Sequence, residues 1–467
     1  MQRFSFWLLI LATLYVSACT TATRQPAPVM ATPAPVTPAV PTEPAMSVLT
    51  PAQIEINPLP AGIAPLPPAD NFAPHIALIL PLKSSVFATS AAAVQQGFLA
   101  AADSQVRNYP IRIYNSVDES RDVIEIYRQA LANGAVAVAG PLTRSGVSLL
   151  ASYPYIPVPT LALNVTEQKS NSNKLFFFGL IPEEEARQIA KMAYANKLRD
   201  ATIINTGTTI SNRLSLAFAD EWKKLGGRIN AEVIYHDGDD SNLLINLPTS
   251  PWLVEPPPPP PVITISDTGE EISTPAKRVG PPPVAPGNVA FIAGDKKQAR
   301  YIRPYLNPSL PVYGTSQLYD KDADTLTNYD LNDIHFVDMP WLLQPDHPAV
   351  MIYPKPALPL DTDKDRLYAF GIDAFRLLNM LLNNKLQTAL PMDGVTGRIR
   401  LDGNLFQRDG TTAIFRYGRG LTPDTLAALE AEKAAAKAAD IAARKAAAAL
   451  ANAPLPAAAA QPAAPAK

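Results

Sequence analysis

Cys19 is the only cysteine in a chain of 467 residues, and it directly follows Val16-Ser17-Ala18. Small residues ahead of a lone thiol match a bacterial lipobox, whose chemistry is lipidation of the cysteine and cleavage before it. A second set of residues could hold a small anion. Ser84 and Ser85 lie in the loop Lys83–Phe87, Thr143 and Ser145 follow Gly140-Pro141, and Asn164 opens the next loop. Hydroxyls and an amide beside helix starts can bind a carboxylate, because backbone N–H groups there point outward. The same side chains also serve as helix caps, and both uses stay open at this level.

Other chemistries lack their residues. Gly140-Pro141 is not followed by the glycine and lysine of a phosphate-binding loop, and no G-x-S-x-G elbow occurs. His75, His236, His335 and His347 are scattered without ligand spacing. Glu183, Glu184 and Glu185 form a carboxylate trio behind Pro182. Their place at a helix start accounts for them through the helix dipole. No catalytic residue, metal site or cofactor is expected. Forty basic against 42 acidic residues give a net charge of −2, which offers no footprint for nucleic acid.

The elements that would position these residues begin at the amino terminus. Arg3 and the apolar run Phe6–Val16 read as a signal peptide over residues 1–18, too short to span a bilayer comfortably. Residues 19–71 are rich in Pro, Ala, Thr and Val and read as a tether of polyproline character, reaching up to roughly 150 Å. Thr20 after the lipidated cysteine implies sorting to the outer membrane, facing the periplasm.

From His75 the pattern changes. Ile76–Leu80 is a short apolar run suited to a strand buried on both faces, and Val94, Phe98, Leu99 and Ala102 then share a helix face. That alternation recurs. Strands are expected over Tyr109–Asn115, Ala135–Ala139, Val158–Asn164, Leu175–Leu180, Ala201–Asn205 and Glu232–Tyr235, with helices between them. Val289–Ala293, Pro311–Gly314 and Ile334–Val337 continue the strands, and Asp365–Asn383 is the clearest helix. Gly397–Leu401, the turn Asp402-Gly403-Asn404 and Thr412–Arg416 read as a hairpin.

The fold class is therefore α/β, with two lobes of parallel sheet flanked by helices and disordered Pro/Ala-rich ends. Lobe 1 is assigned to about 72–180 and 334–390, and lobe 2 to about 181–333 and 391–420. Residues 255–287, with two proline runs, read as a surface insertion without core elements. Residues 421–467 read as an alanine-rich helix and a frayed end, with contact to peptidoglycan one use for it. In open α/β sheets a ligand sits beyond the carboxyl ends of the strands, so Ser84, Ser85, Thr143, Ser145 and Asn164 are the candidate cleft-lining residues.

With those residues in place, the sequence resembles the type I periplasmic-binding-protein fold. More narrowly it resembles the LppC/LpoA family of outer-membrane lipoproteins. The resemblance rests on Ile76–Leu82 with Gln96–Ala101, on Ala139–Leu142, on Leu161–Asn164, on Phe178–Leu180 ahead of Glu184–Ala186, and on Asp393–Ile399 with Leu401-Asp402. Together these motifs cover roughly residues 75–420. The resemblance implies a lipid-anchored activator of a class A penicillin-binding protein, a peptidoglycan synthase, acting by protein contact. It departs from the family in two respects: the best-studied members carry a helical-repeat domain ahead of this fold, where here the proline-rich stretch stands, and the proline-rich insertion 255–287 falls in what should be the second lobe. The alternative on the same scaffold is a solute-binding lipoprotein delivering an amino acid or similar small molecule to an ABC transporter. Fold alone does not choose between them.

Overall fold

A computed structural model describes residues 64–68, 73–105, 107–236, 262–265, 271–274, 284 and 286–451. The signal peptide, Cys19, most of the tether and the end of the tail lie outside them. The described residues belong to one unit, Asn57–Lys467, which holds two large sheets.

The first half alternates strand and helix: β1 (His75–Leu80), α1 (Ala88–Asp103), β2 (Ile111–Asn115), α2 (Glu119–Ala132), β3 (Ala135–Ala139), α3 (Arg144–Ser152), β4 (Thr160–Ala162) and β5 (Leu175–Phe178). Next come α4 (Pro182–Ala195), β6 (Asp200–Asn205), α5 (Thr209–Lys224) and β7 (Arg228–Ile234). A small antiparallel pair, β8 (Val262–Ile265) and β9 (Glu271–Thr274), precedes β10 (Asn288–Ala293), α6 (Lys296–Ile302), β11 (Val312–Gly314) and β12 (Ile334–Asp338). The long helix α7 (Thr362–Leu382) leads to β13 (Met392–Asp393), β14 (Arg398–Asp402), β15 (Leu405–Asp409), β16 (Thr411–Arg416), β17 (Arg419–Leu421) and α8 (Pro423–Ala451).

Sheet one runs β13-β14-β15-β5-β4-β3-β1-β2 and sheet two β17-β16-β12-β11-β10-β6-β7. Each is parallel at its heart; in sheet one β15 joins β5 in parallel and β14 and β13 add antiparallel beyond it, whereas in sheet two β16 joins β12 antiparallel. Period-two alternation explains how β1 is buried on both faces. Ile76, Leu78 and Leu80 pack into the core beneath α1 and α7, while Ala77 and Ile79 pack into the core beneath α2 and α3. In sheet two, Ile292 and Phe291 divide the same way between two cores.

The helix starts follow from their caps. Asp118, Thr143, Thr208 and Asp361 each accept a backbone N–H from the first turn of α2, α3, α5 and α7, and Asp295 with Gln298 forms a capping box on α6. α1 and α7 meet at glycines. A methyl on Gly97 would lie 1.8 Å from the Tyr368 carbonyl oxygen, and one on Gly371 2.1 Å from that of Val94. Only hydrogen at both positions lets the two backbones approach so closely.

Four expectations are corrected. β12 lies in sheet two, not in lobe 1: Ile334 pairs with Val312, and the Phe336 ring stacks on Phe415 at 4.5 Å. Conversely, residues 392–409 join sheet one, where Leu405 pairs with Phe177 and buries Phe406. The Asp402-Gly403-Asn404 turn does make a hairpin, but its return strand is β15, and 411–416 passes to the other lobe. The chain therefore crosses between lobes at 178–182, 338–362 and 409–411. Finally, the proline-rich insertion is not free of elements, since β8 and β9 pair within it. Their β-branched residues favour extended backbone.

Candidate functional site

The loops after β1, β3, β4 and β5 and the starts of α4 and α7 surround a groove between the lobes. One cavity of about 420 Å³ has Leu142, Leu163, Leu180, Leu367 and Phe370 on its wall, with Thr143, Arg144 and Asn164. It shares Leu180 and Leu367 with a second cavity of about 220 Å³, which reaches Glu185, Arg366 and Arg408. It shares Arg144 with a third of about 520 Å³, lined by Thr166, Glu167, Gln168, Glu183 and Arg187 among others.

Of the five candidate residues, Thr143 and Asn164 line the groove; Ser84, Ser85 and Ser145 do not line these cavities. The polar atoms of those that do are occupied. Thr143 Oγ1 accepts from the Gly146 N–H at 3.2 Å, capping α3. Asn164 donates to the Leu142 carbonyl at 3.0 Å and accepts from the Val165 N–H at 2.9 Å. Outside the groove, Ser84 accepts from the Val86 and Phe87 N–H groups, and Ser145 sits 3.3 Å from the Thr143 hydroxyl.

Sequence reasoning missed the group that completes this pattern. Glu119, buried at the first residue of α2, accepts the Leu142 N–H at 3.1 Å and the Thr143 N–H at 2.6 Å. Burial pushes its carboxyl above the usual range, and those N–H groups pull it back. The loop after β3 thus receives a carboxylate from the chain itself. Nothing in the sequence separates Glu119 from an ordinary first-turn acid.

The carboxylate trio divides three ways. Glu183 pairs with Arg213, Glu184 with Arg187 at 2.7 Å, and Glu185 reaches the other lobe. Its Oε1 accepts from Arg408 on β15 at 2.6 Å and its Oε2 from the Ser316 N–H at 3.1 Å. The helix dipole therefore explains only part of the role of Glu185. Nearby, Arg366 on α7 spans to sheet two. It donates to Asp338 at 2.6 and 3.1 Å, and to the carbonyls of Ser316 and Tyr319 at 2.9 and 3.0 Å. Burial raises the Asp338 carboxyl, and the Arg366 guanidinium opposes that shift.

More ties surround these two. Gln188 exchanges both amide bonds with Gly410, at 2.7 and 2.9 Å. Lys321 bridges Asp365 at 3.1 Å and the Leu360 carbonyl at 2.8 Å, and Thr362 donates to Asp320 at 2.8 Å. Buried ion pairs contribute little net stability but punish any rearrangement that separates them. They strap the lobes across the base of the groove.

Among the described residues no group of three or more His, Cys, Asp or Glu gathers to hold a metal ion, and no helix is long and apolar enough to cross a membrane. The groove presents an apolar floor, occupied polar groups and a few rim charges.

The sequence model of a family described as "LppC putative lipoprotein" matches residues 59–247 and 286–418. A penicillin-binding protein activator LpoA from Pantoea ananatis is 25% identical over 320 residues, 65% of this chain and 46% of the relative, so the chain spans about half that relative's length. The solved C-domain of LpoA from Haemophilus influenzae, described as a regulator of PBP1A, matches with a TM-score of 0.56 at 20% identity, covering 75% of this chain and 99% of that one. A structure from Chromobacterium violaceum, described as a putative branched-chain amino acid ABC transporter, matches with a TM-score of 0.57 at 33% identity, covering 73% of this chain and all of that one.

Proposed function

Because the chain belongs to the LppC family, we propose that it is an envelope lipoprotein that activates a class A penicillin-binding protein by protein contact. Relatives of the family carry the activator name. The observation that carries the reading in this chain is the Glu119 carboxylate held by the loop after β3. A free amino acid needs backbone donors for its carboxylate, and Glu119 already takes those of Leu142 and Thr143.

In this reading residues 1–18 are removed as a signal peptide and Cys19 carries the lipid. Residues 19–71 tether the two-lobed body, residues 72–420, to the periplasmic face of the outer membrane, with 421–467 as its tail. More than one acyl chain on a single residue meets what stable anchoring requires. The last part of the tether lies against α2, where Arg128 donates to the Ala64 and Pro65 carbonyls and Gln129 to that of Pro68. Peptidoglycan contact through the tail belongs to the same proposal.

One observation favours the second reading, a solute-binding lipoprotein for an amino acid: the 33% identity to the Chromobacterium structure over its whole length. The two readings separate in one pair of measurements. The activator reading requires purified full-length chain to raise transpeptidation by a class A synthase and to give no binding heat with leucine, isoleucine or valine. Heat of binding at micromolar concentrations without stimulation establishes the second reading.

A further inference from the structure

We propose that the interlobe groove is a docking channel for an extended segment of the partner synthase, one carrying an apolar side chain flanked by a carboxylate and a cation. The proposal rests on the activator reading and names the surface that reading leaves open.

Continuity is the first argument. The first cavity shares Leu180 and Leu367 with the second and Arg144 with the third, so the three adjoin one another along the groove. Its centre is apolar, and Phe87 at 45% and Val86 at 72% exposure extend apolar surface toward solvent from the loop after β1. Such surface marks a contact site when it adjoins a lined trough.

The second argument is mechanical. A solute-binding protein buries most of its ligand by bringing the lobes together. Here Glu185–Arg408 and Arg366–Asp338 are buried ion pairs that each join the two lobes, with Gln188–Gly410 and Lys321–Asp365 beside them. These contacts lie beside the crossovers, so they fix the base of the groove and leave its length lined and accessible. A groove lined along its length suits an occupant that continues beyond it, as a polypeptide segment does.

Charge completes the description of that occupant. Arg187, Arg213, Arg366 and Arg408 all have carboxylate partners. The Arg144 guanidinium, which two of the cavities share, has no hydrogen bond or ion pair among the described residues, and neither has the Glu167 carboxylate in the larger cavity. A segment with an acidic side chain over Arg144 and a basic one over Glu167 satisfies both and fixes its direction. Its apolar side chain fills the floor between Leu163 and Phe370.

The test uses the full-length chain with a photo-crosslinking residue at Ser90 or Gln168 on the trough wall, or at exposed Leu216 on α5, mixed with a purified class A penicillin-binding protein. Covalent adducts from Ser90 and Gln168 and none from Leu216 are expected. Arg144→Glu, an exposed change compatible with a helix start, is expected to lower adduct yield and half-maximal potency of stimulation about tenfold, the equivalent of one charge-assisted contact. Full stimulation with adducts absent from Ser90 and Gln168, or unchanged potency in R144E, overturns the channel while leaving the activator reading standing. Absence of stimulation by the unmodified chain overturns both. Loss of the adducts on adding free leucine overturns the channel in favour of a solute pocket.

Discussion

Replacing Arg366 by methionine tests the strap between the lobes. Asp338 is 1% exposed, and Arg366 supplies it with two charge-assisted bonds while also serving the Ser316 and Tyr319 carbonyls. Methionine keeps much of the volume and leaves Asp338 as a buried charge without its cation. Removing one member of such a pair costs about 3–5 kcal/mol. At a few degrees per kcal/mol for a body of this size, the melting temperature should fall on the order of 10 °C. Replacing both partners, Asp338→Leu with Arg366→Met, should recover more than half of that loss. It does not recover all, since two carbonyls lose their donor.

The pH dependence carries a sign that can be checked. Burial already raises the Asp338 carboxyl, and the guanidinium is what pulls it back. Without Arg366 the carboxyl rises further, so the folded variant binds a proton more readily than its unfolded chain does. Stability of the variant therefore increases as pH falls through that raised value, and its deficit against the parent narrows between pH 7 and pH 5. Thermal melts of the three chains across that range measure both effects. A deficit below about 1 kcal/mol, the range of an exposed pair, would refute the buried strap, as would a deficit that does not change with pH.

Other expectations concern separate parts of the molecule. Gly97→Ala places a methyl 1.8 Å from the Tyr368 carbonyl oxygen, so α1 and α7 must part, at a cost of about 3 kcal/mol measured by urea unfolding. Glu119→Ala leaves the half-buried Leu142 and Thr143 N–H groups without their acceptor, a loss of roughly 1–3 kcal/mol; Glu119→Gln retains one acceptor oxygen and should lose less. Since the Glu119 carboxyl is raised in the fold, the parent gains stability as pH falls through that value, and E119Q should flatten this part of its profile. Deleting residues 434–467 removes exposed helix beyond Lys433, whose ammonium lies 3.2 Å over the Tyr417 ring, so the melting temperature should move by less than about 2 °C.

Much of this fold could be read from periodicity. The strand and helix at 75–103 and the proline-led start of α4 follow from residue spacing and end chemistry. So does the α7 stripe of Leu367, Phe370, Ala374, Leu377 and Leu381. The allotment of late strands to lobes could not be read, because an apolar run shows that a strand is buried but not in which sheet. β15 was hidden for a related reason. Arg408 interrupts its apolar pattern, and the residue that justifies a buried guanidinium there, Glu185, lies 223 positions away.

The candidate site shows the same division. Thr143 and Asn164 were legible as groove residues from their place after strands, whereas the state of their polar atoms depends on partners across the fold. Ser84, Ser85 and Ser145 have the right residue types in the right loops. Yet they do not line the three cavities of the groove. Glu119 is invisible in advance, since a first-turn acid needs no tertiary partner to be explained.

The most direct measurement is the rate of peptide crosslinking by a purified class A penicillin-binding protein, with and without the full-length chain. A rate that rises with added chain and saturates is the expected result. An unchanged rate, together with calorimetric binding of a branched-chain amino acid, would contradict the account and place the chain among solute carriers.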